Sequence, residues 1–368
     1  MKRIFFAALI LLCSCAPRQE SLKDVADRVF SLAQIQLADM DQSLAPGQCP
    51  RSFQNGNLIT SDIGWWCSGF YPGCLWLTYE YSGNDTIKEL AIKHTLPLEG
   101  LLNRQTDHDI GFQLMCSYGN MLRLTGEGRE VLEKGADKLA NRFCPGAGVI
   151  RSWNFGEWNI PVIIDNMMNL ELLTDFGHKE IAQKHAYTTA RNHFREDGTC
   201  FHLVDYADDG RVLGRQTVQG YADSTAWARG QAWALYGFAM MARDGNKDFL
   251  AVASGVENWL LKHLPEDGIP FWDFSQCDYK DASAAAVIAC GLLELCKIRK
   301  DGPSHPSYKL AEKIVRTLAS QEYLALPGTN GGFLLKHSVG NIPAGSEVDV
   351  PLTYADYYFL KALLLLSV

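Results

Sequence analysis

Two short stretches of the chain set carboxylates among apolar neighbours in a way that bears on chemistry. Asp165 closes the run Pro161-Val162-Ile163-Ile164-Asp165 and is followed by Asn166-Met167-Met168. An isolated charge in such company is costly to bury unless it is paired, hydrogen-bonded or protonated. The second stretch is Asp107-His108-Asp109-Ile110-Gly111-Phe112. There Asp107 suits a helix N-cap, which leaves Asp109 inside the first turn. Capping is also the ordinary alternative for Asp165. If Asp109 and Asp165 face one pocket, their proton affinities separate, and one stays protonated at neutral pH as a general acid.

Other residue types around these carboxylates have two readings each. Arg229 lies in Trp227-Ala228-Arg229-Gly230-Gln231-Ala232-Trp233, where a guanidinium fork can take a ligand carboxylate or a structural Asp. Trp65, Trp66, Phe70, Tyr71, Trp153, Trp158, Trp227 and Trp233 recur near the same segments. Such rings stack on sugar faces or serve as core. His202 follows Asp197-Gly198-Thr199-Cys200-Phe201 on an expected strand, where a lone histidine is commonly structural. The stretch from Asp205 to Gly210 lacks the closing acidic ligand of a calcium loop and reads as a turn. Neither GxxxxGK nor GxGxxG occurs, nor do CxxC or HExxH, so no nucleotide cradle or metal cage is expected.

Helices must position these groups. From Ser21 onward apolar residues recur at three- and four-residue spacing, beginning with Val25, Val29, Phe30, Leu32 and Leu37. Two kinds of segment alternate. Ala282 to Leu295 and Tyr354 to Leu366 are apolar all round and must be buried, whereas Gly128 to Phe143 and Ser304 to Leu318 are amphipathic and can cover them. Inner starts fall near Trp66, Asp107, Ile163, Trp227, Asp281 and Tyr354, each interval long enough for a helix pair. The expected fold is all-α, an (α/α)6 barrel of six hairpins, with an open helical array as the alternative. Short β pieces are expected at Cys200 to Val204 and around Gly214 to Tyr221, in the long connection before the fourth inner helix.

The chain has 368 residues, 47% hydrophobic and 21% charged, with a net charge of −8 and no basic stripe. Nucleic acid is therefore not an expected partner. Lys2 and Arg3 precede the apolar run Ile4 to Leu12, and Leu12-Cys13-Ser14-Cys15 resembles a bacterial lipobox. The reading is a signal peptide over 1–14, diacylated Cys15 on a tether over 15–22, and one catalytic domain over 23–368. Loss of Lys2 and Arg3 leaves a mature charge of −10. The expected location is the bacterial envelope, lipid-anchored and facing the periplasm. Nine cysteines remain after Cys15. Cys116, Cys290 and Cys296 lie in apolar helical text, so mostly free buried thiols are expected, with room for one disulfide.

Seven segments in order resemble the unsaturated glucuronyl hydrolases of glycoside hydrolase family 88. They are Trp66-Cys67-Ser68-Gly69-Phe70-Tyr71-Pro72-Gly73, His108-Asp109-Ile110-Gly111-Phe112, Ile164-Asp165-Asn166-Met167-Met168-Asn169-Leu170, Asp197-Gly198-Thr199, Gln219-Gly220-Tyr221-Ala222-Asp223, Trp227 to Trp233, and Asp281-Ala282-Ser283-Ala284-Ala285. The resemblance spans roughly residues 60–295 and implies the same (α/α)6 barrel. It also implies that Asp165 is the general acid/base and Asp109 the second essential carboxylate. By the same resemblance Trp66, His202, Gln219, Arg229 and Trp233 contact substrate. Gln231-Ala232 favours the glucuronyl branch over the related rhamnogalacturonyl hydrolases, which usually carry WARGNGW-like text.

The implied substrate is an oligosaccharide left by a polysaccharide lyase, whose terminal uronate has a C4=C5 double bond. That bond is an enol ether, so protonation at C4 and hydration at C5 release the aglycone, and no metal or organic cofactor is required. The rival readings are a rhamnogalacturonyl hydrolase, a sugar epimerase built on paired histidines, and a sugar-binding lipoprotein without activity. Aglycone and sulfate selectivity are expected in loops such as Gly331 to Val350, with Lys336 and His337.

Overall fold

The computed structural model describes residues 20–367; the expected signal segment and Cys15 lie outside them. α1 (Leu22–Ser43) starts at Ser21, whose hydroxyl accepts the Asp24 N–H. A hairpin, β1 (Cys49–Gln54) with β2 (Asn57–Ser61), leads to α2 (Phe70–Ser82) and α3 (Asp85–Thr95). α4 (Ile110–Leu114) continues through a π-helical turn, Met115–Gly119, into α5 (Asn120–Thr125), and α6 (Arg129–Ala140) returns. After the two-residue strands β3 (Phe143–Cys144) and β4 (Val149–Ile150) comes β5 (Ile160–Ile163). A 3-10 turn, Ile164–Asn169, then opens α7 (Leu170–Asp175), and α8 (Lys179–Asn192) follows. β6 (Leu203–Tyr206) and β7 (Val212–Gln216) precede α9 (Ala228–Met241) and α10 (Lys247–His263). α11 (Ala282–Arg299), α12 (Pro306–Leu318) and α13 (Thr353–Ser367) complete the chain.

α2, α4–α5, α7, α9, α11 and α13 form an inner ring in which each packs on the next and α13 packs back on α2. α1, α3, α6, α8, α10 and α12 lie outside them. Composition explains the sorting. Every residue of α9 is buried, whereas α12 buries one stripe, Ser307, Ala311, Ile314, Val315 and Leu318. A single hydrophobic core runs from Val25 to Leu366 through both layers of the ring, with a small satellite under the sheet around Val162, Val204 and Tyr206. Five of the six inner starts fall within a few residues of the expected ones.

One start differs. The apolar run before Asp165 was expected to begin a helix, but Ile160–Ile163 is a strand, paired with β6 through Ile163 to Leu203 and Val162 to Val204. Its β-branched residues suit a strand. β5 lies at the edge of the sheet β5-β6-β7, where Pro161, without an N–H, is tolerated. All nine cysteines of the described residues are free thiols; Cys116, Cys290 and Cys296 are buried and Cys277 is exposed.

Candidate active site

The strand before Asp165 decides where that carboxyl goes. Pairing stops at Ile163, the Ile164 N–H donates to the His202 carbonyl at 2.9 Å, and the chain then tightens into the 3-10 turn that carries Asp165. Two glycines let that turn sit deep in the ring. A Cβ on Gly111 would lie 2.5 Å from Asn169 Cβ, and one on Gly237 would lie 2.5 Å from Met167 Cβ. The turn is thus clasped between α4 and α9. Ser152 ties the second carboxylate segment to it: its carbonyl accepts the His108 N–H at 3.0 Å and its hydroxyl accepts the Ile163 N–H at 3.0 Å.

The helix begins later than expected: Asp109, not Asp107, occupies the N-cap position of α4, and Asp107 accepts the Asp109 N–H at 2.9 Å in the turn before it. The Asp109 side chain makes no capping bond and is left for other work. The Asp109 and Asp165 side chains are 16% and 13% exposed, so both can be reached from the mouth formed by the inner-helix N-termini. Burial pushes the Asp165 carboxyl up to about 7, against the pull of the Arg229 charge, its own backbone N–H and the Trp233 indole. Burial raises Asp109 well above the usual carboxylate range, and the charges of Asp107 and Asp165 push it further, while Arg142 opposes them. The two groups therefore form a proton-holding pair at neutral pH.

His202 adds a defined donor. Its Nδ1 accepts the N–H groups of Val218 at 3.0 Å and Gln219 at 3.2 Å. Burial moves its pKa down to about 3, so the ring is neutral and its one proton sits on Nε2. That atom lies 3.7 Å from Asp165 Oδ2. Asp165 Oδ2, His202 Nε2, Trp227 Nε1 and Gln231 Oε1 are buried without a hydrogen-bond partner in the protein. Polar atoms left free in this way are the ones available to grip a polar ligand.

The other expected site residues are placed as follows. Trp66 packs edge-on to Phe70 and Phe112 and lies 4.8 Å from the Tyr354 ring. Trp233 is fully buried 5.2 Å from Phe112, and Gln219 is half-buried beside His202. Arg229, expected at the substrate, has its fork turned inward. It donates to the Val339 and Gly340 carbonyls, faces Asp281 at 3.4 Å, and lies under the Trp227 ring at 4.5 Å. Its reach to Asp165 is through space. Lys336 donates to the Gln321 carbonyl, and His337 pairs with Asp349 at 2.7 Å. A cavity of about 980 Å³ opens among Glu80, Arg123, Glu171, Arg243 and Lys361 at the C-terminal ends of the inner helices and reaches inward to Gly111, Phe112 and Met168. In the sequence Gln231 served only to favour the glucuronyl branch and His108 had no role; nothing in local spacing marks the position of either side chain.

The closed ring of six helix hairpins makes this an (α/α)6 barrel, with two raised carboxyls among its inner-helix starts. No family model matches the chain. An unsaturated glucuronyl hydrolase of Formosa agariphila is 39% identical over 319 residues, covering 81% of this chain and 79% of that protein. An unsaturated chondroitin disaccharide hydrolase of Streptococcus pneumoniae is 31% identical, covering 94% of this chain and 92% of its own length. The crystal structure of an unsaturated glucuronyl hydrolase specific for heparin superimposes with a TM-score of 0.89 at 43% identity, covering 93% of this chain and 97% of that one. The chain belongs to the unsaturated glucuronyl hydrolase family.

Proposed function

We propose that Asp165 is the general acid/base with which this enzyme removes the 4,5-unsaturated uronate from lyase-generated glycosaminoglycan disaccharides. The observation that carries this reading is a raised carboxyl with a free oxygen, held beside a second raised carboxyl. Protonated Asp165 delivers its proton to C4 of the enol ether. The cation at C5 is stabilised by the ring oxygen, and water adds there while ionised Asp165 takes a proton from it. The hemiketal opens by breaking the C5–O5 bond, leaving a C5 ketone and a C1 hemiacetal, which expels the aglycone alcohol. Asp109 orients the ring or the water and keeps negative charge from building beside Asp165. Trp66 and Trp233 line the sugar pocket, and His202 Nε2–H and Gln219 supply polar contacts.

Relatives described as specific for heparin and as acting on chondroitin disaccharides both match this chain, which supports a glycosaminoglycan aglycone. The test is a panel of unsaturated disaccharides from chondroitin, hyaluronan, heparin and pectin, followed by loss of the conjugated double bond. Asp165→Asn should retain disaccharide binding and lose turnover by at least about 10²–10⁴-fold. Residual turnover near wild type removes Asp165 from its role, and preference for the pectin product favours the rhamnogalacturonyl reading. The Leu12-Cys13-Ser14-Cys15 text supports a lipid-anchored envelope enzyme. In that case Cys15→Ser abolishes labelling by a fatty-acid analogue and moves the protein from membrane to soluble fractions; unchanged fractionation excludes the anchor.

A further inference from the structure

The geometry points to His108 as a positioning residue for Asp109, held by Asn169 in the one tautomer that donates Nε2–H toward that carboxyl. The argument begins one residue further out. Asn169 Oδ1 accepts the Phe112 N–H at 2.7 Å, which fixes which end of the amide is oxygen. Its Nδ2 therefore faces His108 Nδ1, at 3.3 Å, as a donor. His108 Nδ1 must accept, so a neutral ring carries its proton on Nε2. Neutrality follows from the surroundings: His108 is 1% exposed, and burial with the nearby Arg142 charge moves its pKa down to about 3, against the Asn166 amide, a second polar group beside the ring that favours its proton. Nε2 lies 3.5 Å from Asp109 Oδ1.

The two catalytic carboxyls thus share one device. His202 is pinned at Nδ1 by two backbone N–H groups and His108 by an amide, and the Nε2 atoms lie 3.7 Å from Asp165 Oδ2 and 3.5 Å from Asp109 Oδ1, close enough to orient a carboxyl without closing a hydrogen bond to it. A neutral donor orients a carboxyl without adding charge. A cationic ring at the same place would favour the ionised form of Asp109 and undo the proton-holding pair. An amide at position 169 achieves this, because Asp there would draw a second proton onto Nδ1. Besides His108, the charged and titratable groups near Asp109 are Asp107, Asp165 and Arg142; His185 and His202 lie near His108 itself.

The kinetic arm of the test rests on the hydrolase reading; the spectroscopic arm does not. In the full-length enzyme with 15N-labelled histidine, the ring signals that vanish in His108→Gln should show protonated Nε2 and bare Nδ1 across the neutral range. In Asn169→Asp, which keeps an oxygen for the Phe112 N–H, the same ring should become doubly protonated. That variant should lose about 10- to 100-fold in kcat with KM within threefold, and its pH–rate profile should move toward acid. His108→Gln, which retains a donor near Nε2, should recover most of the kcat that His108→Phe loses. A protonated Nδ1 in the wild type overturns the inference whatever the activity. So does an Asn169→Asp enzyme with unchanged kcat and pH profile, or equal impairment of the Gln and Phe variants at the wild-type profile. A melting temperature for each variant separates these outcomes from misfolding.

Discussion

At the residue scale, Asp165 trades stability for a proton that can be delivered. Its folded pKa of about 7 stands above the ordinary 3.8, so between those values the native state holds a proton that the unfolded chain has released. Stability is therefore full below about pH 4, falls as pH rises toward 7, and is level above it, a loss of at most about 4 kcal/mol for this group. Asp109 and the buried Asp356 shift in the same direction. Asp165→Asn should consequently melt higher than the wild type at pH 8, with the gain vanishing near pH 4. An equal gain at both values would mean that charge burial is not its origin. Turnover should decline on the alkaline side of about pH 7, as the acid form is lost. That Asp109 and Asp165 are buried carboxyls with raised proton affinity was legible in the sequence, because a carboxylate amid apolar residues needs a reason to be there. The role of His108 was not, because it depends on Asn169, 61 positions away, and spacing along a chain carries no tautomer. Arg229 shows the converse: its text allowed a ligand carboxylate or a structural Asp, and only the folded chain shows the fork on the Val339 and Gly340 carbonyls with Asp281 3.4 Å away.

At the scale of elements, the active site is a matter of how closely one turn can approach two helices. Helix pattern was readable because apolar-all-round and amphipathic segments differ in composition, and the starts of α9 and α11 fall where expected. The strand β5 was not readable, since a short run of Ile, Pro and Val serves a buried helix or an edge strand equally well until a partner such as β6 is known. Gly111 is the sharpest test of the packing. An added Cβ would lie 2.6 Å from Asn169 Cα, so the 3-10 turn, and Asp165 with it, must retreat. Gly111→Ala should cost about 1–3 kcal/mol of stability. It should lower kcat by about 10²-fold even well below its melting temperature, because the carboxyls no longer share one position. A folded Gly111→Ala enzyme with full kcat would show that the turn has slack.

At the scale of the whole molecule, the distinction between a closed ring and an open array is energetic. In an open stack each repeat meets only its neighbours, and loss of the last repeat leaves the rest standing. Here α13 packs against both α11 and α2, and against α1 and α12 outside. Asn120 Nδ2 donates to Tyr357 Oη at 3.1 Å, joining α5 to α13. The Asp356 carboxylate accepts the Leu334 and Leu335 N–H groups at 2.8 Å each, holding the segment whose continuation carries the carbonyls over Arg229. Removing residues 353–368 should therefore expose the inner faces of α2 and α11 together and abolish cooperative folding, with most of the helical circular dichroism lost. A milder probe keeps the chain intact. Leu360 is fully buried in α13, and Leu360→Ala should cost about 2–5 kcal/mol. In a closed ring that loss moves one melting transition as a unit, whether followed by helix content or by tryptophan emission from the carboxylate mouth. If the truncated chain keeps a cooperative melt, or the two signals of Leu360→Ala separate, closure by α13 is not what holds the two carboxyls together.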